Sequence, residues 1–455
     1  MMTEENPLGT APVGKMLRQF AVPSIIAMLV SALYNMVDQF FIGRNVGALG
    51  NAATNIVFPL STSCVAIALL FGIGGASAFN LALGRNDKDR AARYIGNSVV
   101  GMFLMGIGIA AVTEIFMYPL LRFFAASDSV MVYAVPYTRI TAIGFPFMIF
   151  ATGGGHLIRA DGSPKMTMLC NMSGAIINTI LDYLFVSRFG WGMEGAAYAT
   201  VIGQVISAGI ALWYMMFRFK TIKLKPSYFV ISGEAIGRVA ALGMAPCTNQ
   251  LAMMVVQIVM NKSLKYYGGL SSFGEDIPIA CVGIISKVSM VFFSFIIGIS
   301  QGLQPIVSFN YGAGRYDRVK KGYATAMKIS AVLSVFAFLM FWIFPRDIIS
   351  VFGKGSEEYY EFATRYFRIF LFFTFVNFIQ PISSNFFTAI GKPVKGVFLS
   401  LTRQILFLLP LILILPVFMG IDGIVYSGPI ADFIACVIAT LMVVKEFAGP
   451  EYRGI

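Results

Sequence analysis

Residues 52–83 read AATNIVFPLSTSCVAIALLFGIGGASAFNLAL, thirty-two positions without one charged side chain. A helix rises 1.5 Å per residue, so about 20 apolar residues cross a ~30 Å hydrocarbon core. This stretch therefore predicts a membrane-spanning helix. The next ten residues, Gly84-Arg-Asn-Asp-Lys-Asp-Arg-Ala-Ala-Arg93, turn abruptly to charge. Such a change marks the point where a helix leaves lipid for water.

The same alternation runs through the chain. Apolar stretches long enough to cross lie at 17–42, 52–83, 94–120, 133–159, 166–188 and 195–217, then at 236–261, 278–311, 323–345, 360–390, 395–419 and 423–445. Backbone groups in lipid must be satisfied internally, so these are predicted helices, and the alternation of a membrane β-barrel is absent. Over the 455 residues, 57% are hydrophobic and 12% charged, against about 25% charged in a soluble domain. The net charge of +12 does not indicate a nucleic-acid partner, because the cations sit in short loops where charge sets topology. Twelve spans put both termini on one side. That side carries twenty-two Lys and Arg, from Lys15 to Arg453, and the other carries seven, including Lys354. The imbalance predicts cytoplasmic termini in the plasma membrane. The start, MMTEENPLGTAPVGK, does not read as a cleavable signal peptide. The five cysteines (Cys64, Cys170, Cys247, Cys281, Cys436) lack paired spacing and read as small buried hydrophobes. One histidine, His156, excludes a metal centre built on histidines.

Shifting the chain by 228 residues lays the loop after span 2 on the loop after span 8. Gly74 meets Gly302, Gly84 meets Gly312, Asp89 meets Asp317 and Arg90 meets Arg318. The same shift lays Trp191-Gly-Met-Glu-Gly-Ala-Ala-Tyr198 on Met419-Gly-Ile-Asp-Gly-Ile-Val-Tyr426. A shift of 229 matches Tyr137 with Tyr366, Arg139 with Arg368, and Ala160-Asp-Gly-Ser-Pro164 with Ala389-Ile-Gly-Lys-Pro393. Pro23 meets Pro246 with a shift of 223. Glycines, prolines and charges kept at loop positions indicate a true repeat. Six helices per half is an even number, so the halves share orientation about an axis along the membrane normal. The predicted fold is an all-α polytopic membrane protein of two parallel six-helix lobes. Its parts are an N-terminal tail (1–15), an N-lobe (16–219), a cytoplasmic linker (220–235), a C-lobe (236–446) and a C-terminal tail (447–455).

A charge in mid-membrane costs about 2.5–3.5 kcal/mol on the lenient insertion scale, so each one needs a reason. In the first half, Asp38 in span 1 has Tyr34 one turn earlier, and Asp182 in span 5 has Asn178 one turn earlier. Thr200 in span 6 is placed to join them. Two carboxylates in low dielectric cannot both ionise cheaply, which suits proton uptake and release, or a bridging cation such as Na+. The plainer reading is that each aspartate bonds a neighbouring helix. In the second half Asn261 stands where the repeat places Asp38, and Leu411 where it places Asp182. That half offers Lys287, Arg403 and Asp432, with Asn249, Gln250 and Gln257 along span 7. These residues either line a substrate cleft or, for a Lys or Arg with Asp432, form a structural ion pair.

Gly72-Ile-Gly-Gly75 lies inside an apolar span with no strand before it, so helix packing explains it better than a dinucleotide loop. Gly153-Gly-Gly155-His156 has no Gly-x-Ser-x-Gly beside it and reads as close packing. There is no phosphate-binding loop for ATP-driven transport and no nucleophile–base set for an enzyme. Some of the 25 methionines and 42 phenylalanines suit a deformable apolar wall.

The residues also carry a resemblance. Pro23 with Tyr34-Asn35-Met36-Val37-Asp38 and Ile42-Gly43 is similar to span 1 of the MATE (multidrug and toxic compound extrusion) family. Arg159-Ala-Asp-Gly-Ser-Pro-Lys165, Asn178-Thr-Ile-Leu-Asp182, Gly195-Ala-Ala-Tyr-Ala-Thr200 and Pro305-Ile-Val-Ser-Phe-Asn-Tyr-Gly-Ala-Gly314 extend the likeness, which looks strongest to the MepA-like bacterial branch. The resemblance implies a monomeric secondary antiporter in the membrane lipid, with no cofactor, expelling cationic or amphipathic drugs in exchange for H+ or Na+. It implies a cation site at Asp38, Asn178, Asp182 and Thr200 beside Tyr34, with Pro23 as a hinge in span 1. It leaves Gln250, Gln257, Asn261, Lys287, Arg403 and Asp432 as candidates for the substrate cleft. Some branches carry a coupling glutamate in span 7, where this chain reads Pro246-Cys-Thr-Asn-Gln250. The alternative function is a flippase for lipid-linked precursors within the same wider superfamily, which needs a cationic cleft.

Overall fold

The computed structural model describes residues 6–124, 126–271, 274, 276–352 and 357–452. Lys354 and Arg453, counted in the charge balance above, lie outside them. Among the described residues the chain is helical, with no strand. The spanning helices are α1 (Val13–Asn45), α2 (Ala48–Gly84), α3 (Lys88–Ile115), α4 (Asp128–Ala160), α5 (Pro164–Arg188), α6 (Gly192–Phe217), α7 (Gly233–Gly269), α8 (Asp276–Gly312), α9 (Tyr316–Ile343), α11 (Pro393–Met419) and α12 (Ile421–Phe447). The tenth span, α10, is broken into Tyr359–Phe375 and Ile379–Ala389, bent by 43°. The apolar run 360–390 predicts a continuous span, and the structure breaks it. Pro381 explains the break: it has no N–H for the carbonyl of Asn377, and its ring crowds that carbonyl.

The repeat is visible in the backbone. Gly162 and Gly391, matched by the shift of 229, both close a turn in the left-handed region, at φ 83° and 79°. A side chain is strained there, so glycine is kept in both halves. The five cysteines are free and buried, as their placement in apolar runs predicts.

The lobes do not pack strictly in chain order. Leu17, Phe20 and Ala21, in the first half of α1, join the apolar core of the second lobe with Ile299, Leu303 and Phe386. Ala235, Val239 and Leu242, in the first half of α7, join the core of the first lobe. Each arm therefore crosses to the opposite lobe, and Pro23 and Pro246 lie just beyond the crossings. The segments before the arms cross too. Asn310 donates to the Leu8 carbonyl at 2.9 Å, and Arg318 to the same carbonyl at 3.2 Å. Asn97 donates to the carbonyls of Tyr228 and Val230 at 3.3 and 3.2 Å and accepts from the Ser232 N–H at 2.8 Å.

Glycines allow the arms to lie this close. A Cβ at Gly74 would overlap the Val239 carbonyl, and one at Gly302 would stand 2.6 Å from the Ala21 nitrogen. The repeat-related glycines thus perform the same packing in the two lobes. Gly72 rests against Gly153, so both glycine runs are packing motifs as read from the sequence. Gln304 adds a buried polar tie between the lobes, donating to the Ile73 carbonyl at 3.1 Å and to Ser77 Oγ at 2.9 Å.

Candidate functional site

Helices α1 and α5 lie side by side, and Asn45 donates to Ser187 Oγ at 3.0 Å between their ends. Further along the same two helices, Asp38 and Asp182 meet side chain to side chain. Both are buried, with 9% and 0% exposure. Among the described residues, Oδ1 of each carboxylate has no hydrogen-bond partner. Asn178, one turn before Asp182, is 3% exposed. With its amide oriented to satisfy both atoms, Asn178 donates to Asp182 Oδ2 at 3.2 Å and accepts from the Thr200 N–H at 3.2 Å. Directly after Asp182 the helix widens into a π-turn, Tyr183–Arg188. Such turns re-aim side chains and recur at functional sites.

Tyr34 neighbours both aspartates. Tyr137 on α4 comes within side-chain reach of Thr200 and neighbours Tyr34, Asp38 and Asp182. The sequence reading missed Tyr137 as a site residue, although its repeat partner Tyr366 had already singled it out. The arrangement gives each aspartate a face-to-face partner of like charge and leaves oxygens without donors. A proton or a bound cation relieves both problems at once.

The second lobe is arranged differently. Arg403 sits in another π-turn, Thr402–Leu408, and its Nε pairs with Asp432 Oδ1. Asn377, at the break in α10, donates to Asp432 Oδ2 at 3.1 Å. Of the two readings left open for Arg403 and Asp432, the geometry shows the ion pair. The role of Asn377 was not read from sequence; Pro381 four residues later was the available signal. Gln257 donates to Asn261 at 3.0 Å on an exposed face of α7. Lys287 is exposed, and Gln250 half-buried, each without a side-chain partner among the described residues. The structure thus gathers Tyr34, Asp38, Asn178, Asp182 and Thr200, and keeps Arg403 with Asp432 as a separate cluster. Pro23 lies inside the continuous helix α1, where it leaves the Gln19 carbonyl without its usual N–H.

Known proteins share this plan. The sequence model of the MatE family matches residues 23–184 and 247–414, once in each half. The multidrug export protein MepA of Staphylococcus saprophyticus subsp. saprophyticus is 22% identical over 434 residues, covering 95% of this chain and 93% of that protein. MepA of Staphylococcus aureus is 23% identical over 436 residues, covering 95% and 94%. Among solved structures, an outward-facing multidrug resistance MATE family transporter of the MOP superfamily superposes with a TM-score of 0.91 at 21% identity, over 98% of this chain and 99% of that one.

Proposed function

Since this chain belongs to the MatE family, we propose that it is a secondary antiporter that exports cationic or amphipathic small molecules, coupled to H+ or Na+ uptake at Asp38 and Asp182. The observation that carries this reading is the buried contact between the two carboxylates, each with an oxygen left without a donor. Outward-facing protein takes up a proton or Na+ there, held by Asp38, Asp182 and the oxygens of Asn178, Thr200 and Tyr34. Neutralising the pair removes the like-charge contact between α1 and α5. Helix α1 then bends at Pro23, where the backbone already lacks one bond. The bend moves the arm that crosses to the second lobe and squeezes substrate from the cleft. The lobes then rock to face the cytoplasm and reload. One charge falling through 100 mV supplies about 2.3 kcal/mol, enough for roughly a fortyfold gradient when coupled one-to-one.

Purified protein in vesicles tests the reading. A fluorescent organic cation should move uphill under an imposed pH gradient or an imposed Na+ gradient, and the gradient that works identifies the ion. Transport that ignores both gradients overturns the scheme. The flippase alternative needs a free cationic cleft. Of the two cations among the cleft candidates, Arg403 is paired with Asp432 and Lys287 has no side-chain partner among the described residues, which favours export of cations.

A further inference from the structure

Residues 218–225 read Arg-Phe-Lys-Thr-Ile-Lys-Leu-Lys, four cations and no acid in eight positions. They follow α6 and precede α7, outside the spanning helices. The segment is bound to the first lobe. Asp161, at the end of α4, accepts from the backbone N–H groups of Lys220 at 2.7 Å and Thr221 at 2.8 Å, and from the Thr221 hydroxyl at 2.5 Å. Tyr214 donates to the same carboxylate at 2.9 Å. Phe219, Ile222 and Leu224 pack against the apolar core of that lobe. The apolar side chains turn in, so Arg218, Lys220, Lys223 and Lys225 stand exposed along one fixed ridge.

Nothing neutralises the ridge: none of the four has a carboxylate partner among the described residues. Six other cations assigned to this face are already engaged. Arg90 pairs with Asp87 and Glu234, Arg93 with Asp89, and Lys392 and Lys395 with Glu446. Arg315 and Arg318 hold carbonyls of the N-terminal segment. The start of the ridge adjoins exposed aromatic rings at the end of α6. Arg218 lies over the exposed ring of Trp213, 5.8 Å from its centroid, and Phe217 is 71% exposed. Tryptophan beside a cation at a helix end marks the membrane–water boundary.

We propose that the ridge Arg218, Lys220, Lys223 and Lys225 binds anionic phospholipid headgroups of the cytoplasmic leaflet. It thereby anchors the end of the first lobe from which the inter-lobe linker starts. The choice of leaflet rests on the orientation predicted from the charge balance of the loops; the choice of lipid rests on the ridge alone. An anionic surface attracts each basic side chain by roughly a fivefold gain in affinity, and salt screens the effect. The chemistry asks for a phosphate-bearing amphiphile with net negative charge, and the exposed rings of Trp213 and Phe217 would meet its acyl chains.

Trp213 is a built-in reporter. Full-length protein with Trp191→Phe and Trp342→Phe retains it as the sole tryptophan. In phosphatidylcholine vesicles, brominated phosphatidylglycerol should quench Trp213 with a relative binding constant about fivefold or more above brominated phosphatidylcholine. The preference should fall toward unity in 1 M salt, where the Debye length is about 3 Å. Lys220→Gln, Lys223→Gln and Lys225→Gln together should sharply reduce the preference, to no more than Arg218 alone sustains, while leaving quenching by brominated phosphatidylcholine unchanged. Equal quenching by the two lipids in the parent, or an undiminished preference in the triple variant, overturns the proposal. The leaflet is tested separately. Lys223→Cys in intact cells should resist a membrane-impermeant thiol reagent, and labelling from outside overturns the cytoplasmic assignment without touching the lipid measurement.

Discussion

The two lobes repeat each other's helices and differ in their buried charge. In the first, Asp38 faces Asp182, acid against acid. In the second, Asp432 faces Arg403 with Asn377 completing its bonds. Each centre adjoins a π-turn, and each lies where an isolated charge is costly. A compensated pair can stay in the membrane indefinitely, because attraction and hydrogen bonds offset much of the lost hydration. A like-charged pair cannot; it needs a proton or a cation from outside. On the proposed function, the second lobe thus holds a finished piece of structure and the first holds one side of a binding equilibrium.

The largest effect should come from removing that equilibrium. With Asp38→Asn or Asp182→Asn, uphill efflux from vesicles should fall to background while the protein remains inserted. Normal pumping by either variant breaks the comparison at its root. The second lobe should respond through stability. Removing one partner strands the other, so Arg403→Gln or Asp432→Asn should cost about 3–5 kcal/mol in thermal unfolding. The triple variant Arg403→Met, Asp432→Leu and Asn377→Leu, which removes the whole polar cluster, should regain most of that loss and still couple efflux to the ion gradient. Single variants as stable as the parent but unable to pump would show that the second lobe also works chemically.

Much of this contrast was legible in the sequence. The shift of 228 residues found the glycines that later prove to pack the arms, because close approach and left-handed turns leave glycine little substitute. The mismatch of Asp38 with Asn261 and of Asp182 with Leu411 announced that only one lobe holds the acid pair. What stayed hidden depends on contacts between distant segments. Nothing in residues 13–22 says that they pack in the opposite lobe, since both lobes offer the same apolar surface. The choice of Arg403 over Lys287 as the partner of Asp432 needed the packing of α11 on α12 and the break in α10. Tyr137 was in view as a repeat match but carried no charge to flag it.

A smaller effect is expected where the arms meet. A Cβ at Gly243 would run into the Leu70 carbonyl, so Gly243→Ala should part α7 from α2 at a cost of about 1–3 kcal/mol. A cysteine placed at Ser77, beneath Gln304, should then react faster with a thiol reagent than it does in the parent. Unchanged labelling would mean that the glycines do not hold this face shut.

The smallest effect refines the comparison to a single repeated position. Tyr137 and Tyr366 are matched by the repeat, and both lie within helices of the membrane core. Tyr137 reaches toward Thr200 and the acid pair. Tyr366 is 1% exposed, stacks on Phe370 with ring centroids 5.3 Å apart, and its hydroxyl has no partner among the described residues. A hydrogen bond contributes about 0.5–1.5 kcal/mol net, whereas a buried hydroxyl without a partner contributes nothing favourable. Tyr137→Phe should therefore shift the ion activity that gives half-maximal efflux by roughly two- to tenfold, without abolishing transport. Tyr366→Phe should leave that activity unchanged and should hold or slightly raise the unfolding temperature. Equal shifts from the two substitutions would return the lobes to chemical equivalence. Unequal shifts of this sign would locate the ion-dependent chemistry in the first lobe, using a pair of side chains that differ in their surroundings alone.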